Sequence, residues 1–196
     1  GYIMEAKRIA AERAVDYIED NMVVGLGTGS TAYWAIKKLG LKVQEGLNIQ
    51  AIATSKDSEE LAKELGINLT SFSGVDEIDI TIDGADEVDL EYNLIKGGGG
   101  ALLREKIVAA SSKQFIVVVD ESKMVRHLGE FPLPVEIVRF GYEKTIKNLS
   151  NLGCKPHLRE LNNKVYLTDN GNYIIDCHFR KIEDSKNLNT KINLIP

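Results

Sequence analysis

Between Met22 and Leu39 the chain runs strand, tight polar turn, helix, and that order constrains its fold more than any other feature. Met22-Val-Val-Gly-Leu26 is a short apolar run suited to a buried strand, and it passes directly into Gly27-Thr-Gly-Ser-Thr31. From Ala32 to Leu39 apolar residues recur at helical spacing. The unit then repeats as strand Ile49–Ala53, helix Ser58–Leu65 closed by Gly66, strand Ile78–Ile82, helix Ala101–Ser111 and strand Phe115–Asp120. Parallel strands are joined through crossovers, so this alternation predicts an α/β fold with a parallel sheet covered by helices on both faces. Ligands of such sheets bind at the carboxyl ends of the strands.

An amphipathic helix over Glu5–Glu19, with Ile9, Ala10, Ala14, Val15 and Ile18 on its apolar side, precedes the first strand. Gly1, Tyr2 and Ile3 stand before Met4, which reads as the natural start, so no fold element is assigned to them. After Phe131-Pro-Leu-Pro134 the pattern changes. Strand Val135–Val138, helix Tyr142–Leu152, strands near Lys155–Arg159, Lys164–Thr168 and Tyr173–Cys177, and a helix near Asp184–Asn193 predict a small α+β domain, with Asp169-Asn-Gly171 as a hairpin turn.

A formal charge of −5 argues against a nucleic-acid surface, and no apolar run is long enough to cross a membrane or serve as a signal peptide. The expectation is a cytoplasmic protein. Cys154 and Cys177, without CxxC spacing, read as reduced thiols. His157 and His178 sit close enough to them in sequence to sketch a zinc site, but neighbours on a strand point to opposite faces, so Cys177 and His178 are poor joint ligands.

Four segments with chemical potential fall where strands of the first domain end. In Gly27-Thr-Gly-Ser-Thr31, backbone amides and hydroxyls face the start of a helix, which suits a phosphate; a plain turn with Ser30 or Thr31 as helix cap is equally open. Gly27-x-Gly29-x-x-Ala32 also fits a loose dinucleotide fingerprint. The second strand, however, ends in Ala53-Thr-Ser55 and lacks the acidic residue a ribose needs. Asp83-Gly-Ala-Asp-Glu87 delivers three carboxylates around a glycine, a concentration of charge that points to a task, though a turn and a cap would also use them.

Lys96 followed by Gly97-Gly-Gly-Gly100 forms a candidate oxyanion nest, with Glu105 in the helix that follows. The alternative for Glu105 is an exposed acid near a positive helix end. Lys123 closes a fourth strand end, Val117-Val-Val-Asp120-Glu-Ser-Lys123. No Ser-His-Asp order and no metal motif is present. Carboxylates, lysines and phosphate loops suit proton transfer beside a carbonyl, where a carboxylate moves the proton while a cation and amides hold the enediolate.

Taken in order, Gly25-Leu-Gly-Thr-Gly-Ser-Thr31, Asp83-Gly-Ala-Asp-Glu87, Ile95-Lys-Gly-Gly-Gly99, Arg104-Glu-Lys106, Asp120-Glu-Ser-Lys123, Phe131-Pro-Leu-Pro-Val-Glu136, Thr168-Asp-Asn-Gly-Asn172 and Ile192-Asn-Leu-Ile-Pro196 resemble the type A ribose-5-phosphate isomerases along the whole chain. The resemblance implies a Rossmann-like catalytic domain over residues 4–130 and a ferredoxin-like α+β domain over 131–196. It implies interconversion of ribose 5-phosphate and ribulose 5-phosphate without a cofactor, by a homodimer or homotetramer. Glu105 would shuttle the proton and Lys96 stabilise the enediolate, while Asp83 and Asp86 would assist ring opening and hold hydroxyls. Thr28, Gly29, Ser30, Thr31, Lys123 and Lys7 would bind the phosphate, with Gly84, Ala85, Gly97, Gly98 and Gly99 lining the substrate. The family's chain continues past Ile195-Pro196 into a glycine-containing segment that returns to the first domain, and its loop at Ala53-Thr-Ser-Lys56 is richer in serine. A sugar-phosphate-sensing domain on the same scaffold is the competing reading, and it would keep the phosphate loop but not need Glu105 and Lys96.

Overall fold

The computed structural model describes residues 2–196, in two compact units: Gly1–Gly84 with Leu103–Glu121, and Ala85–Leu102 with Ser122–Pro196. In the first unit, α1 (Tyr2–Val15) leads into β1 (Val23–Leu26), α2 (Ser30–Gln44), β2 (Gln50–Ala53), α3 (Lys56–Glu64) and β3 (Ile78–Asp83). The chain then passes through β4 (Glu87–Val88) and β5 (Leu94–Ile95), which belong to the second unit, and returns with α4 (Leu102–Ala110) and β6 (Ser112–Val117). The opening helix begins and ends earlier than its apolar spacing suggested; Gly1 lies outside the described residues.

All pairings in the main sheet are parallel, in the order β2-β1-β3-β6, with Val24 opposite Ala51 and Ile80, and Ile82 opposite Ile116. Val24, Leu26, Ala51, Ile80 and Ile82 pack with Ala11, Ala14 and Val15 of α1 and Ala35, Ile36 and Leu39 of α2. A second cluster joins Ile52 and Ile78 to Val108 of α4. Each fully buried Ile or Val here contributes about 1.5–3 kcal/mol, which is why short apolar strands suffice. β6 differs from the expected Phe115–Asp120. Its register runs from Ser112 opposite Ile78 to Val117 opposite Asp83, and its first half, with Lys113 and Gln114 exposed on an edge strand, carries little apolar signal.

The second unit continues with β7 (Leu133–Ile137), α5 (Tyr142–Ser150), β8 (Lys155–Leu158), β9 (Glu160–Leu161), β10 (Lys164–Val165), β11 (Tyr173–His178) and α6 (Ser185–Asn193). An antiparallel sheet β7-β11-β8 packs Ile137, Ile175 and Cys177 against Leu149 of α5 and Cys154. The Asp169-Asn-Gly171 turn forms, closed by Thr168 N–H donating to Asn172 O at 2.9 Å, but it does not join β10 to β11 as a hairpin. β11 is already paired on both edges, and β10 pairs with β9 across Asn162 and Asn163, both at positive φ (54° and 64°). Two consecutive left-handed residues suit the two-residue hairpin turn whose twist matches the strands.

Pleating also separates the four residues of the sketched zinc site. Cys154 and Cys177 are buried in the core of the unit, whereas His157 and His178 stand on its exposed side with rings edge to face, 6.0 Å between centroids. No group of three or more His, Cys, Asp or Glu able to hold a metal occurs among the described residues.

Candidate active site

The turn after β1 is built around Asp83, the last residue of β3, whose side chain comes to rest only 1% exposed. Asp83 Oδ1 accepts from the backbone N–H of Thr28 (3.2 Å) and of Gly84 (2.7 Å). Gly27 is needed for this approach, because a Cβ there would come 2.7 Å from the Asp83 Cα. Gly29 supplies the other requirement, a φ of +94° at the residue preceding α2, a region open to glycine at little cost.

α2 begins at Ser30 with no side chain capping it, so neither Ser30 nor Thr31 acts as the cap that the alternative reading of this loop required. The amides of a helix start and the positive end of its dipole remain for an anion. Lys7 of α1 comes to the same place: its Nζ donates to Ser30 Oγ at 3.4 Å and lies 3.8 Å from Asp120 Oδ2. Thr31 is buried and Gly84 sits against it, with 3.5 Å from its Cβ position to Thr31 Cβ.

Glu105, in the first turn of α4, is only 6% exposed. The exposed-helix alternative for this residue therefore fails. A negative charge near a helix start is favoured by the dipole, which offsets part of the cost of burying the carboxylate.

The sequence reading missed a hydroxyl cluster at the end of β2. Thr28 Oγ1 lies 2.8 Å from Thr54 Oγ1 and donates to Ser55 Oγ at 3.0 Å. Ser55 caps α3 by accepting from Ser58 N–H (3.2 Å), and Ser58 Oγ donates to Gly27 O (2.6 Å). The signal was available: Thr54 and Ser55 end a strand, as the other polar segments do. Thr54 and Ser55 hold the Thr28 hydroxyl, and Ser58 holds the Gly27 carbonyl.

In the second unit the remaining candidates lie on either side of β4 and β5 and, for Lys123, after β6. Asp86 Oδ2 accepts from Gly98 N–H at 2.8 Å, and Asp86 N–H donates to Ile95 O at 2.7 Å. Lys96 follows β5 and is half-buried, as is Ala85; Gly97 is buried, and Gly98 and Gly99 are exposed. Glu87, 5% exposed, accepts from Gly129 N–H (2.9 Å) and Phe131 N–H (3.0 Å) and so braces the loop before β7. Lys123 ends a single 3-10 turn, Glu121–Lys123, and is half-buried. The three carboxylates clustered in sequence thus part company, each facing backbone amides of a different segment.

A parallel sheet that ends in a tightly supported glycine turn, a free helix start and two deeply buried carboxylates defines an α/β enzyme fitted to a small anionic substrate. Comparison with known proteins narrows this. The family model of ribose 5-phosphate isomerase A (phosphoriboisomerase A) matches residues 50–196. A ribose-5-phosphate isomerase A of Bacillus mycoides is 54% identical over 194 residues, covering 98% of this chain and 88% of the relative, and that of Listeria monocytogenes is 49% identical over 195 residues, covering 99% and 87%. Among solved structures, a D-ribose-5-phosphate isomerase in complex with phospho-erythronic acid superposes with a TM-score of 0.95 at 44% identity, covering 99% of this chain and 87% of that one. The ribose 5-phosphate isomerase of Plasmodium falciparum gives 0.94 at 44% identity, covering 98% and 86%. The chain belongs to the ribose 5-phosphate isomerase A family.

Proposed function

We propose that Glu105 carries the mobile proton in this chain, an aldose–ketose isomerase that interconverts D-ribose 5-phosphate and D-ribulose 5-phosphate in the non-oxidative pentose phosphate pathway. One observation carries the assignment: a carboxylate 6% exposed on a rigid helix, in the unit that also holds the Gly27–Thr31 turn. In the open-chain aldose, Glu105 takes the proton from C2 and the C1 carbonyl becomes an enediolate oxygen; the hydroxyl proton then passes from O2 to O1, and Glu105 returns its proton to C1 as the carbonyl forms at C2. Lys96 and the amides of Gly97 and Gly99 hold the enediolate charge, and Gly98 lines the substrate with its own N–H on Asp86. Asp83 and Asp86 assist ring opening and bind sugar hydroxyls, beside Gly84 and Ala85. The phosphate lies on Thr28, Gly29, Ser30 and Thr31 with Lys7 and Lys123. Every step uses side chains and amides of this chain and calls on no cofactor.

A cytoplasmic homodimer or homotetramer, divided into a catalytic domain over 4–130 and a smaller one over 131–196, completes the proposal; light scattering and limited proteolysis test its assembly and its division. Glu105→Gln tests the chemistry. The amide keeps shape and hydrogen bonding without basicity, so kcat falls by about 10²–10⁴ while KM stays near its original value. Near-normal kcat in Glu105→Gln, with loss in Asp83→Asn or Asp86→Asn, would reassign the base.

A further inference from the structure

The mechanism leaves unused an arginine that grips the glycine loop. Arg159 follows β8 and makes a two-pronged ion pair with Asp176 of β11, Nε to Oδ2 at 2.8 Å and Nη2 to Oδ1 at 2.6 Å. Its remaining nitrogen, Nη1, donates to Gly97 O at 3.3 Å and Gly98 O at 3.2 Å. The Tyr166 ring lies beside the guanidinium, 5.8 Å from its Cζ to the ring centroid, and the Tyr166 hydroxyl stands where a Cβ on Gly100 would be. From the other side, Asp86 takes the Gly98 N–H.

A trans peptide points its carbonyl and its N–H in opposite directions. Fixing Gly97 O on Arg159 therefore turns Gly98 N–H away from the guanidinium, and Asp86 receives it there. Fixing Gly98 O in the same way turns Gly99 N–H away from Arg159. Four consecutive glycines have the largest backbone entropy to lose, so without an outside hold their amides would sample many directions. The planar fork matters because it meets a carboxylate and two carbonyls at once, which an ammonium on a flexible stem does not.

We infer that Arg159, anchored by Asp176, is a positioning residue that sets the direction of the Gly99 amide, while Asp86 holds that of Gly98, and so preorganises the loop for the enediolate. This rests on reading Gly97–Gly99 as the loop that holds that charge. Amides aimed in advance act on the transition state more than on bound substrate, so losing the hold lowers kcat and leaves phosphate recognition alone.

The test measures kcat and KM for ribose 5-phosphate, inhibition by phospho-erythronic acid and inhibition by inorganic phosphate, in Arg159→Lys, Asp176→Asn and, as reference, Lys96→Met. Phospho-erythronic acid places a carboxylate where the enediolate oxygens develop; inorganic phosphate probes the other end alone. In Arg159→Lys kcat falls at least about tenfold and phospho-erythronic acid binds weaker by a similar factor, while KM and the phosphate inhibition constant change less than about threefold. Asp176→Asn, which keeps the guanidinium and loosens its anchor, moves the same constants in the same direction by less, and it decides the matter if Arg159→Lys does not fold. Normal kcat in Arg159→Lys and Asp176→Asn with turnover lost in Lys96→Met overturns the role of Arg159 and leaves the loop's role standing. Normal kcat in all three overturns both. Phosphate inhibition weakening in step with kcat overturns it as well, marking a general structural support.

Discussion

The backbone N–H of Thr28 donates to Asp83 Oδ1 at 3.2 Å, tying the turn after β1 to the carboxylate at the end of β3. The same oxygen takes the Gly84 N–H at 2.7 Å, so one buried charge orders two neighbouring loop backbones. A carboxylate accepting amide hydrogens forms bonds roughly twice as strong as a neutral acceptor does. Asp83→Asn keeps an acceptor oxygen at this point but loses the charge. Its melting temperature is expected to fall by only about 2–4 °C, while turnover falls about tenfold or more. Asp83→Ala leaves two amides without their acceptor, at about 1–3 kcal/mol each, and its urea midpoint drops well below that of Asp83→Asn. Equal midpoints for the two variants would show that the amides do not depend on this side chain.

Gly27 and Gly29 separate space from backbone conformation. Gly27→Ala must push against the Asp83 backbone, with a Cβ 2.7 Å from its Cα, whereas Gly29→Ala meets no atom within 4 Å and only pays for its φ of +94°. The second change is expected to cost about 1–2 kcal/mol, the first at least twice that, because two paired strand ends must separate. Chemical denaturation of both variants measures the order, and Gly29→Ala as the worse of the two would contradict it.

Lys7 reaches the start of α2 through Ser30, at 3.4 Å. In the site proposed above, Lys7→Met keeps the stem and removes the charge from the end of the substrate far from the reacting carbons. A contact of that kind binds ground and transition states alike, so KM rises about tenfold and kcat changes little; Lys123→Ala is expected to behave in the same way. Steady-state kinetics against a titration of inorganic phosphate gives both numbers, and a fall in kcat at unchanged KM would remove the lysine from the phosphate site.

Burial pushes the thiols of Cys154 and Cys177 above their ordinary range, and for Cys177 the neighbouring Cys154 adds to the effect. The folded thiols stay neutral at a pH where those of the unfolded chain, titrating near ~8.5, already ionise. Above that pH the unfolded chain binds fewer protons than the folded one, so stability falls as pH rises. The urea midpoint of the native protein is expected to drop between about pH 8 and about pH 10 more steeply than that of Cys154→Ala/Cys177→Ala. Thiol reagents should react only as the protein unfolds. Parallel curves would show that the pair is not coupled to folding.

The amino-acid sequence by itself determined the α/β order, the parallel sheet and the glycine turns at strand ends, because the period of the apolar residues and the glycines at strand ends are local signals. The strand from Ile78, the turn at Gly27–Thr31 and the separation of Cys177 from His178 by the pleat could be read this way. What each polar group touches was decided only by the tertiary structure. Asp83, Asp86 and Glu87 lie within five residues, yet they serve Thr28 and Gly84, Gly98, and Gly129 with Phe131 respectively, partners 1–55 positions away. Thr54, Ser55 and Ser58 gain their meaning from the β1–β2 register, and β10 pairs with β9 because β7 and β8 already occupy both edges of β11. The burial of Glu105 and the grip of Arg159 on Gly97 and Gly98 belong to the same class. Local propensity sets which backbone a segment adopts, but a buried polar atom takes whichever donor or acceptor the packed chain brings within about 3 Å, and that is fixed by contacts between residues far apart in sequence.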